Sequence, residues 1–380
     1  MNSLPSSTPR WDIFCAVVDN FGDIGVCWRL ARQLAVEHGV AVRLWIDDFD
    51  SACRLLPTAR PGTEVQRVDQ VEIRHWTTPL PDVQPGDVVI AAFACDLPVQ
   101  FLEAMARCTP RPVWINLEYL SAEDWVAGCH RLPSPHPRLP LRQYFFFPGL
   151  DRTTGGLLRE ADYADRRARF VAADFWRALD LPPPAPDELR VSLFCYENPA
   201  LGELLDLWRQ GSAPVTCLVP EGRVLPGVAR AFGLSDLRSG DRLVRDALRV
   251  QVLPFVAQPC YDELLWACHL NFVRGEDSFV RAQWAEHPFV WHIYPQQDEA
   301  HLEKLEAFLA RYRVGLDPLA ARQLTDFWQA WNRGQGVAQA WPAFREALPA
   351  LARHGKAWSA SLMEAGDLAR NLVQFCKDEI

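Results

Sequence analysis

Two kinds of hydrophobic pattern alternate along this chain. Short continuous apolar runs, such as Phe14–Val18 and Val88–Phe93, are typical of buried strands. The segments between such runs place apolar residues three to four positions apart, as Leu30 and Leu34 do before Gly39, and this spacing predicts amphipathic helices. Strands that alternate with helices predict parallel sheets of the α/β class, with ligands at the carboxyl ends of the strands.

This alternation occurs twice, once in each half of the chain. The first series predicts strands at 14–18, 42–46, 88–93 and 113–117, with a buried strand in the aromatic stretch 142–150. The second series predicts strands at 190–195, 215–219, 249–253, 270–273 and 289–291. The remaining tail is predicted to be helical and to end in a helix over Ala357–Phe375. We therefore expect two α/β domains that face one another across a cleft, followed by a helical tail.

Two proline-rich stretches interrupt the pattern. The first, 131–140, is expected to be a surface loop, whereas the second, 181–189, is the better domain boundary. We therefore predict an N-terminal domain over 1–182 and a C-terminal domain over 183–355. Residues 356–380 are expected to form a helix that packs back on the N-terminal domain.

Composition argues against several function classes. The 380 residues are 49% hydrophobic and 23% charged, which is typical of a globular protein long enough for two cores. A formal net charge of −9 argues against general nucleic-acid binding, which needs a basic surface. The opening MNSLPSSTPR lacks the pattern of a signal peptide, and no apolar run reaches the roughly 20 residues of a membrane helix. The eleven scattered cysteines are interpreted as reduced thiols, so we expect a cytoplasmic protein. Because no apolar run is long enough to cross a membrane, we expect no membrane partner.

The first predicted strand leads into the turn Asp19-Asn20-Phe21-Gly22-Asp23-Ile24-Gly25. Either aspartate has an ordinary structural explanation, since Asp19 suits a turn and Asp23 suits the N-cap of a helix that starts at Ile24. Two carboxylates beside two glycines at the end of a strand also suit a site that takes a proton or holds a cation. The spacing does not match the GxGxxG fingerprint, so a dinucleotide site is not supported.

A second candidate site lies in HLNFVRGEDSFVRAQWA, residues 269–285. A predicted strand ends at Arg274, and Glu276, Asp277 and Ser278 open the next helix. An acidic first turn with a capping residue explains the pattern without a ligand. Alternatively, free N–H groups and the Ser278 hydroxyl bind a diphosphate, a carboxylate accepts sugar hydroxyls, and Arg274 offsets the acidic charge.

Three more side chains follow strands of the same domain. Phe194 and Tyr196 alternate onto one side, so one ring suits stacking on a base and the other suits donating from its hydroxyl, although strand core explains the pair better when it is taken alone. Gln258 precedes Pro259, where its amide suits either an ordinary loop or the edge of a base. Because all three positions follow strands of one domain, together they favour a nucleotide site. The histidines and cysteines show no metal-ligand spacing, so we expect no metal.

Two longer motifs carry a resemblance that covers nearly the whole chain after its first ten residues. DNFGDIGVCWRLARQLA near the N-terminus and RGEDSFVRAQWAEHPFVWHIYPQ at 274–296 resemble the EarP family, the protein-arginine rhamnosyltransferases of bacterial elongation factor P. The resemblance implies an inverting glycosyltransferase of GT-B architecture, with two Rossmann-like domains. It also implies dTDP-β-L-rhamnose as donor, an arginine of elongation factor P as acceptor, and no cofactor or metal.

The same resemblance assigns roles to individual residues. Asp23 is the implied general base, and Asp19 supports it. The implied donor-binding residues, with Arg274 added from the charge argument above, are Phe194, Tyr196, Gln258, Arg274, Glu276, Asp277 and Ser278. Two alternatives stay open. One is another GT-B enzyme, acting on a small molecule or lipid or as a sugar-nucleotide epimerase, and the other is a non-catalytic nucleotide-binding translation factor.

Overall fold

The structure is a computed structural model that describes residues 8–18, 21–56, 58–296 and 299–379. The chain forms two compact units. The N-terminal unit comprises Met1–Ala161 and Leu362–Ile380, and the C-terminal unit comprises Asp162–Ser361. Each unit contains a mainly parallel sheet with connecting helices, as the alternating pattern predicts.

An eight-stranded sheet lies at the centre of the N-terminal unit, counted over its described residues. Its strands are β1 (Arg10–Cys15), β2 (Ala41–Ile46), β3 (Val65–Val68), β4 (Val71–His75), β5 (Val88–Ala92), β6 (Val113–Leu117), β7 (Pro133–Pro135) and β8 (Arg142–Phe146). The strand order is β3-β4-β2-β1-β5-β6-β8-β7, with antiparallel pairing only of β3 and β7 within this described sheet. Successive strands add on opposite sides of β1, so the boundary between β1 and β5 is a topological switch point.

Four helices follow strands of this sheet in the described first part of the chain. They are α1 (Phe21–His38), α2 (Phe49–Leu55), α3 (Val99–Arg107) and α4 (Val126–Cys129). The first ends where predicted, because Gly39 adopts a left-handed backbone with φ of 66°. The stretch at 131–140, expected to be a loop, contains the edge strand β7, where proline is tolerated because one side of the strand is unpaired.

A six-stranded sheet lies at the centre of the C-terminal unit, again counted over described residues. Its strands are β9 (Leu189–Leu193), β10 (Val215–Pro220), β11 (Arg242–Arg245), β12 (Leu248–Leu253), β13 (Leu270–Arg274) and β14 (Phe289–His292). The order β11-β12-β10-β9-β13-β14 places the switch point between β9 and β13. The helices of the unit are α5 (Tyr163–Arg169), α6 (Ala172–Ala178), α7 (Leu201–Gln210), α8 (Leu225–Ala231), α9 (Gln258–Ala267), α10 (Asp277–Ala285), α11 (Ala300–Tyr312), α12 (Pro318–Arg333) and α13 (Val337–Leu362).

The two units separate at Ala161, earlier than the predicted boundary at 182/183. Helices α5 and α6 precede the proline-rich stretch and nevertheless belong to the C-terminal unit. Trp266 donates its indole N–H to the Tyr163 hydroxyl at 2.8 Å, and the Arg190 guanidinium lies 4.1 Å from the centre of the Trp176 ring. These buried contacts, which depend on residues distant in sequence, place the boundary before α5.

The end of the chain belongs to the N-terminal unit. The predicted single helix over Ala357–Phe375 is wrong, because α13 ends at Leu362 and Gly366, with φ of 78°, separates it from α14 (Leu368–Glu379). Helix α14 packs against α1. The Gln33 amide donates to the Asp367 carboxylate at 3.0 Å, which ties the start of α14 to that helix.

Aromatic and thiol side chains fill both cores. In the N-terminal unit the rings of Phe14 and Trp45 stack with their centres 5.4 Å apart, and in the C-terminal unit Phe272 meets Trp331 edge to face at 4.9 Å. All eleven cysteines are free, and six of them are buried.

Candidate functional site

The Asp23 carboxylate lies at the carboxyl edge of the N-terminal sheet. Because α1 begins at Phe21, the alternative in which Asp23 caps a helix starting at Ile24 is wrong, and the residue belongs to the first turn. Its Oδ2 accepts the Val18 N–H at 2.8 Å, and its Oδ1 accepts the Tyr119 hydroxyl at 3.3 Å. Asp23 is only 2% exposed, and both donors point toward a charge that the helix N-terminus also favours.

The second predicted catalytic residue, Asp19, lies outside the described residues, as does Asn20. The structure therefore places one of the two carboxylates of the DNFGD motif. The supporting role of Asp19 stays a prediction from the resemblance.

Tyr119 was not predicted from the sequence. It follows β6 and stacks on Phe93, which follows β5, with ring centres 4.3 Å apart and planes 17° from parallel. Phe93 and Ala94 both have positive φ, 57° and 55°. Such a backbone is rare for residues with a side chain, and it occurs where surrounding structure holds it, often at functional sites. Phe93 ends the predicted strand 88–93 and Tyr119 follows the predicted strand 113–117, and these positions at one sheet edge were the available signal.

Further acidic groups line the same edge. Glu118 is half-buried, and burial raises the pKa of its carboxyl while a 2.8 Å hydrogen bond from the Asn116 amide opposes the shift.

A cavity of about 640 Å³ carries Asp47 and Asp96 on its wall and suits a cationic group better than an anion. Its lining residues are Ala16, Asp47, Trp76, Thr77, Thr78, Pro79, Leu80, Asp96, Pro98, Val99 and Gln100.

In the C-terminal unit, the Arg274 guanidinium lies between two aromatic rings. Its central carbon is 4.6 Å from the centre of the Phe194 ring and 4.8 Å from that of Tyr196. Arg274 ends β13 and the two rings follow β9, so the group sits at the switch point of this sheet. Both rings do face one side, as expected, and there they contact the guanidinium. Their stacking on a base stays a prediction.

One nitrogen of this guanidinium lacks a hydrogen-bond partner within the described part of the chain. Arg274 is 7% exposed, and its Nη1 is buried without a hydrogen bond to any residue that the structure describes. An unpaired N–H on a buried cation is energetically unfavourable unless a ligand pairs with it, and an anion does so most strongly. This edge of the sheet therefore offers a buried cationic N–H group that can pair with an anion.

The Ser278 hydroxyl does not point to solvent. It accepts the Arg274 N–H at 3.0 Å and donates to the Arg274 carbonyl oxygen. Gly275, between them, has φ of 59°, and its carbonyl accepts the Trp291 indole N–H at 2.9 Å. The hydroxyl thus shapes the turn that carries Arg274, rather than offering itself to a phosphate as the sequence suggested.

Gln258 and Asp277 meet across two helix N-termini. Gln258 is the first residue of α9, and its Nε2 donates to Oδ2 of Asp277, the first residue of α10, at 3.1 Å. Glu276 precedes α10 without capping it by a side-chain hydrogen bond. The structure thus brings Phe194, Tyr196 and Arg274 into one contact group, and it brings Gln258 and Asp277 into a second.

Two buried neighbours complete the aromatic wall. His292 packs edge to face on Tyr196 with ring centres 5.3 Å apart, and burial, aided by the positive charge of Arg274, lowers its pKa to about 3. Tyr261 packs on Phe194 at 5.6 Å, and burial raises the pKa of its phenol. Both rings are therefore neutral near pH 7, so Arg274 is the charged member of this group of five side chains.

The model of the family described as elongation factor P (EF-P) rhamnosyltransferase EarP matches residues 11–377. The chain belongs to the EarP family. A relative from Pseudomonas putida, named protein-arginine rhamnosyltransferase, is 52% identical over 377 residues, which cover 97% of this chain and 99% of the relative. These findings confirm the resemblance that the two motifs carry.

Solved structures agree with the EarP assignment. The structure described as the structural basis for EarP-mediated arginine glycosylation of translation elongation factor EF-P is 38% identical, with a TM-score of 0.71, and the match covers 98% of this chain and 100% of that one. Spinosyn rhamnosyltransferase SpnG matches with a TM-score of 0.51 at 12% identity over 97% of this chain and 100% of its own, which bears on the fold alone. The predicted α/β fold of the GT-B class is confirmed.

Two features are absent from the described ranges. No helix there combines the length and apolar character needed to cross a membrane. No group of three His, Cys, Asp or Glu side chains in the same ranges is arranged to hold a metal ion.

Proposed function

We propose that this protein is an inverting protein-arginine rhamnosyltransferase, which moves L-rhamnose from dTDP-β-L-rhamnose to an arginine side chain of elongation factor P. Membership of the EarP family supports the enzyme class, the sugar and the acceptor. The chemistry of the two sheet edges supports the division of roles. The observation that carries the proposal is Arg274, buried between two rings with an Nη1 that no described residue pairs.

The C-terminal unit is proposed to bind the donor. Its diphosphate pairs with Arg274, and the N-terminal N–H groups of α10 add partial positive charge. Asp277 and Glu276 accept hydrogen bonds from hydroxyl groups of the donor, because anionic side chains would repel the diphosphate itself. A fixed cation that is already desolvated stabilises the charge that develops on the leaving group without reorganising during the reaction.

The N-terminal unit is proposed to prepare the acceptor. A guanidinium keeps its proton up to a pH of roughly 12, so arginine is a poor nucleophile at neutral pH. The Asp23 carboxylate attracts the cation, orients one nitrogen through charge-assisted hydrogen bonds and accepts the proton. Asp19 is proposed to support it from the other end of the same motif.

In the transfer step, a guanidinium nitrogen forms a bond to the anomeric carbon of rhamnose. The bond from that carbon to the diphosphate oxygen breaks, its electron pair leaves with dTDP, and the nitrogen's proton passes to Asp23. Attack from the face opposite the diphosphate inverts the anomeric centre.

The proposal is tested by incubating the protein with EF-P and dTDP-β-L-rhamnose and measuring the intact mass and fragment masses of EF-P. We expect the mass of one deoxyhexose on a single arginine, in the α configuration by NMR, and none when the donor is UDP-glucose. Donor turnover without modified EF-P would instead favour another GT-B activity. Donor binding without turnover would favour a non-catalytic factor.

A further inference from the structure

A buried ion pair joins the two helices that carry Gln258 and Asp277. In α9, the Asp262 carboxylate accepts the Nε–H of Arg281 at 2.7 Å on one oxygen and its Nη2–H at 2.7 Å on the other. Both side chains are completely buried. Such a two-point contact fixes the orientation as well as the distance of the partners.

Helical spacing places this pair directly beneath the candidate donor site. Asp262 comes four residues after Gln258 on α9, and Arg281 comes four residues after Asp277 on α10. Residues four apart lie on one face of a helix. The two helices therefore meet through two contacts one turn apart: the ion pair, and above it the 3.1 Å hydrogen bond from Gln258 to Asp277.

A third helix prevents the pair from rearranging. Nη1 of Arg166, on α5, donates to Oδ2 of Asp262 at 3.1 Å, and this oxygen also accepts the Nη2–H of Arg281. The buried Tyr163 ring lies 4.7 Å from the Arg281 guanidinium carbon. Two guanidinium groups thus bind the Asp262 carboxylate, and the ring packs on one of them.

We propose that Asp262 and Arg281 are positioning residues for the donor substrate. Their ion pair sets the spacing of the two helix N-termini, and so the places of Gln258 and Asp277, without touching the donor. This inference rests on the proposed function of the C-terminal unit. Groups that recognise a ligand must be held within about 0.5 Å of their working positions, and a rigid pair one turn below supplies that constraint.

The test compares two Arg→Lys variants of the whole protein. Arg281→Lys keeps the charge and loses the two-point contact. The matched control is Arg190→Lys, since Arg190 is equally buried and pairs with Glu188 at 3.1 Å, at the amino-terminal end of β9 in the same unit. We expect the Kd and KM for dTDP-β-L-rhamnose to rise about tenfold in Arg281→Lys with kcat retained, and to change less than about twofold in the control.

A double-mutant cycle separates positioning from general stability. If the ion pair acts through Gln258, then Arg281→Lys weakens donor binding far less in a Gln258→Ala background than in the wild type. Asp262→Glu, which lengthens the partner, is measured in the same way and replaces Arg281→Lys if that variant does not fold, as judged by circular dichroism.

Two results would overturn the positioning role. One is wild-type donor affinity in a folded Arg281→Lys or Asp262→Glu protein, and the other is full additivity with Gln258→Ala. Wild-type protein that does not bind dTDP-β-L-rhamnose would overturn the proposed function itself, and that outcome is distinguishable because it does not involve the variants.

Discussion

The two units hold opposite charges at equivalent places in their sheets. In the N-terminal unit, the Asp23 carboxylate follows β1, beside the switch point, and accepts hydrogen bonds from Val18 and Tyr119. In the C-terminal unit, the Arg274 guanidinium lies at the switch point between Phe194 and Tyr196. The same fold therefore provides an edge for either charge, and the side chains decide which one occupies it.

The two charges are also held by different means. Hydrogen-bond donors hold the carboxylate and stabilise it as an anion. Aromatic faces attract the guanidinium without using its N–H groups, and Nη1 of Arg274 has no hydrogen-bond partner among the residues that the structure describes. Under the proposed function, this difference assigns the cation and its proton to one edge and the anion to the other.

The largest effect is expected from removing the negative charge of the N-terminal edge. Asp23→Asn should lower kcat by about 10²–10⁴, the usual contribution of a general base, with donor binding nearly unchanged. Initial rates of EF-P modification measure it, with Asp50→Asn, an exposed position in α2, as the control. Turnover at the wild-type rate would remove Asp23 from the mechanism.

Removing the positive charge of the C-terminal edge should have the next largest effect. Arg274→Gln is expected to raise the KM for dTDP-β-L-rhamnose about 10- to 100-fold, since a charged hydrogen bond to the diphosphate is lost. Arg238→Gln, whose side chain is 83% exposed in the same unit, serves as the control. An equal KM in both variants would contradict an anion site at Arg274.

The polar residues around Arg274 should contribute less. Asp277→Ala and Ser278→Ala are each expected to weaken donor binding about three- to tenfold, because one loses a hydrogen-bonding group and the other loosens the turn that carries Arg274. Calorimetry with dTDP-β-L-rhamnose measures both. Unchanged affinity in both variants would exclude this end of α10 from the donor site.

On the N-terminal edge, Tyr119→Phe sharpens the comparison further. We expect kcat to fall about two- to fivefold with donor affinity unchanged, because Asp23 loses one of the donors that orient its carboxylate. Tyr144→Phe is matched, since this tyrosine on β8 also bonds a carboxylate, that of Glu379. Equal rates for the two variants would count against an orienting role for Tyr119.

The smallest effect concerns pH. Because burial lowers the pKa of His292 from 6.5 to about 3, the unfolded chain binds a proton that the folded protein does not as the pH falls below 6.5. The free energy of unfolding should therefore fall as the pH is lowered from 7.5 to 5.5. Below pH 6.5 the slope should reach at most about 1.4 kcal/mol per pH unit, and the total loss should be smaller in His292→Gln. Denaturant titrations at both pH values measure it; equal losses would show that His292 is not the source.

Much of this arrangement could be predicted from the sequence. Continuous apolar runs marked the central strands. Asp23 was assigned from the carboxylate-rich turn after the first strand and from the family resemblance, and Arg274 was added because its charge offsets Glu276 and Asp277. The edge strands β3 and β11 were missed because they are short and carry exposed polar residues, so that no apolar run marks them. The domain boundary was misplaced because a proline signal is local, whereas the packing of α5 and α6 depends on distant residues.

Other features depend on tertiary contacts that no motif records. Tyr119 resembles an ordinary residue after a strand until the structure brings its hydroxyl to Asp23. Asp262 pairs with Arg281, which lies nineteen residues away on the next helix, so neither residue stands out by itself. The contact of two rings with one guanidinium likewise required β9 and β13 to be neighbours.

The most direct test of opposite roles for the two edges is to titrate Asp23→Asn and Arg274→Gln side by side with dTDP-β-L-rhamnose in a calorimeter. We predict that Asp23→Asn binds the donor as the wild type does, and that Arg274→Gln binds it at least about tenfold more weakly. Equal loss of affinity in both variants, or loss confined to Asp23→Asn, would contradict the assignment of the anion to the C-terminal edge.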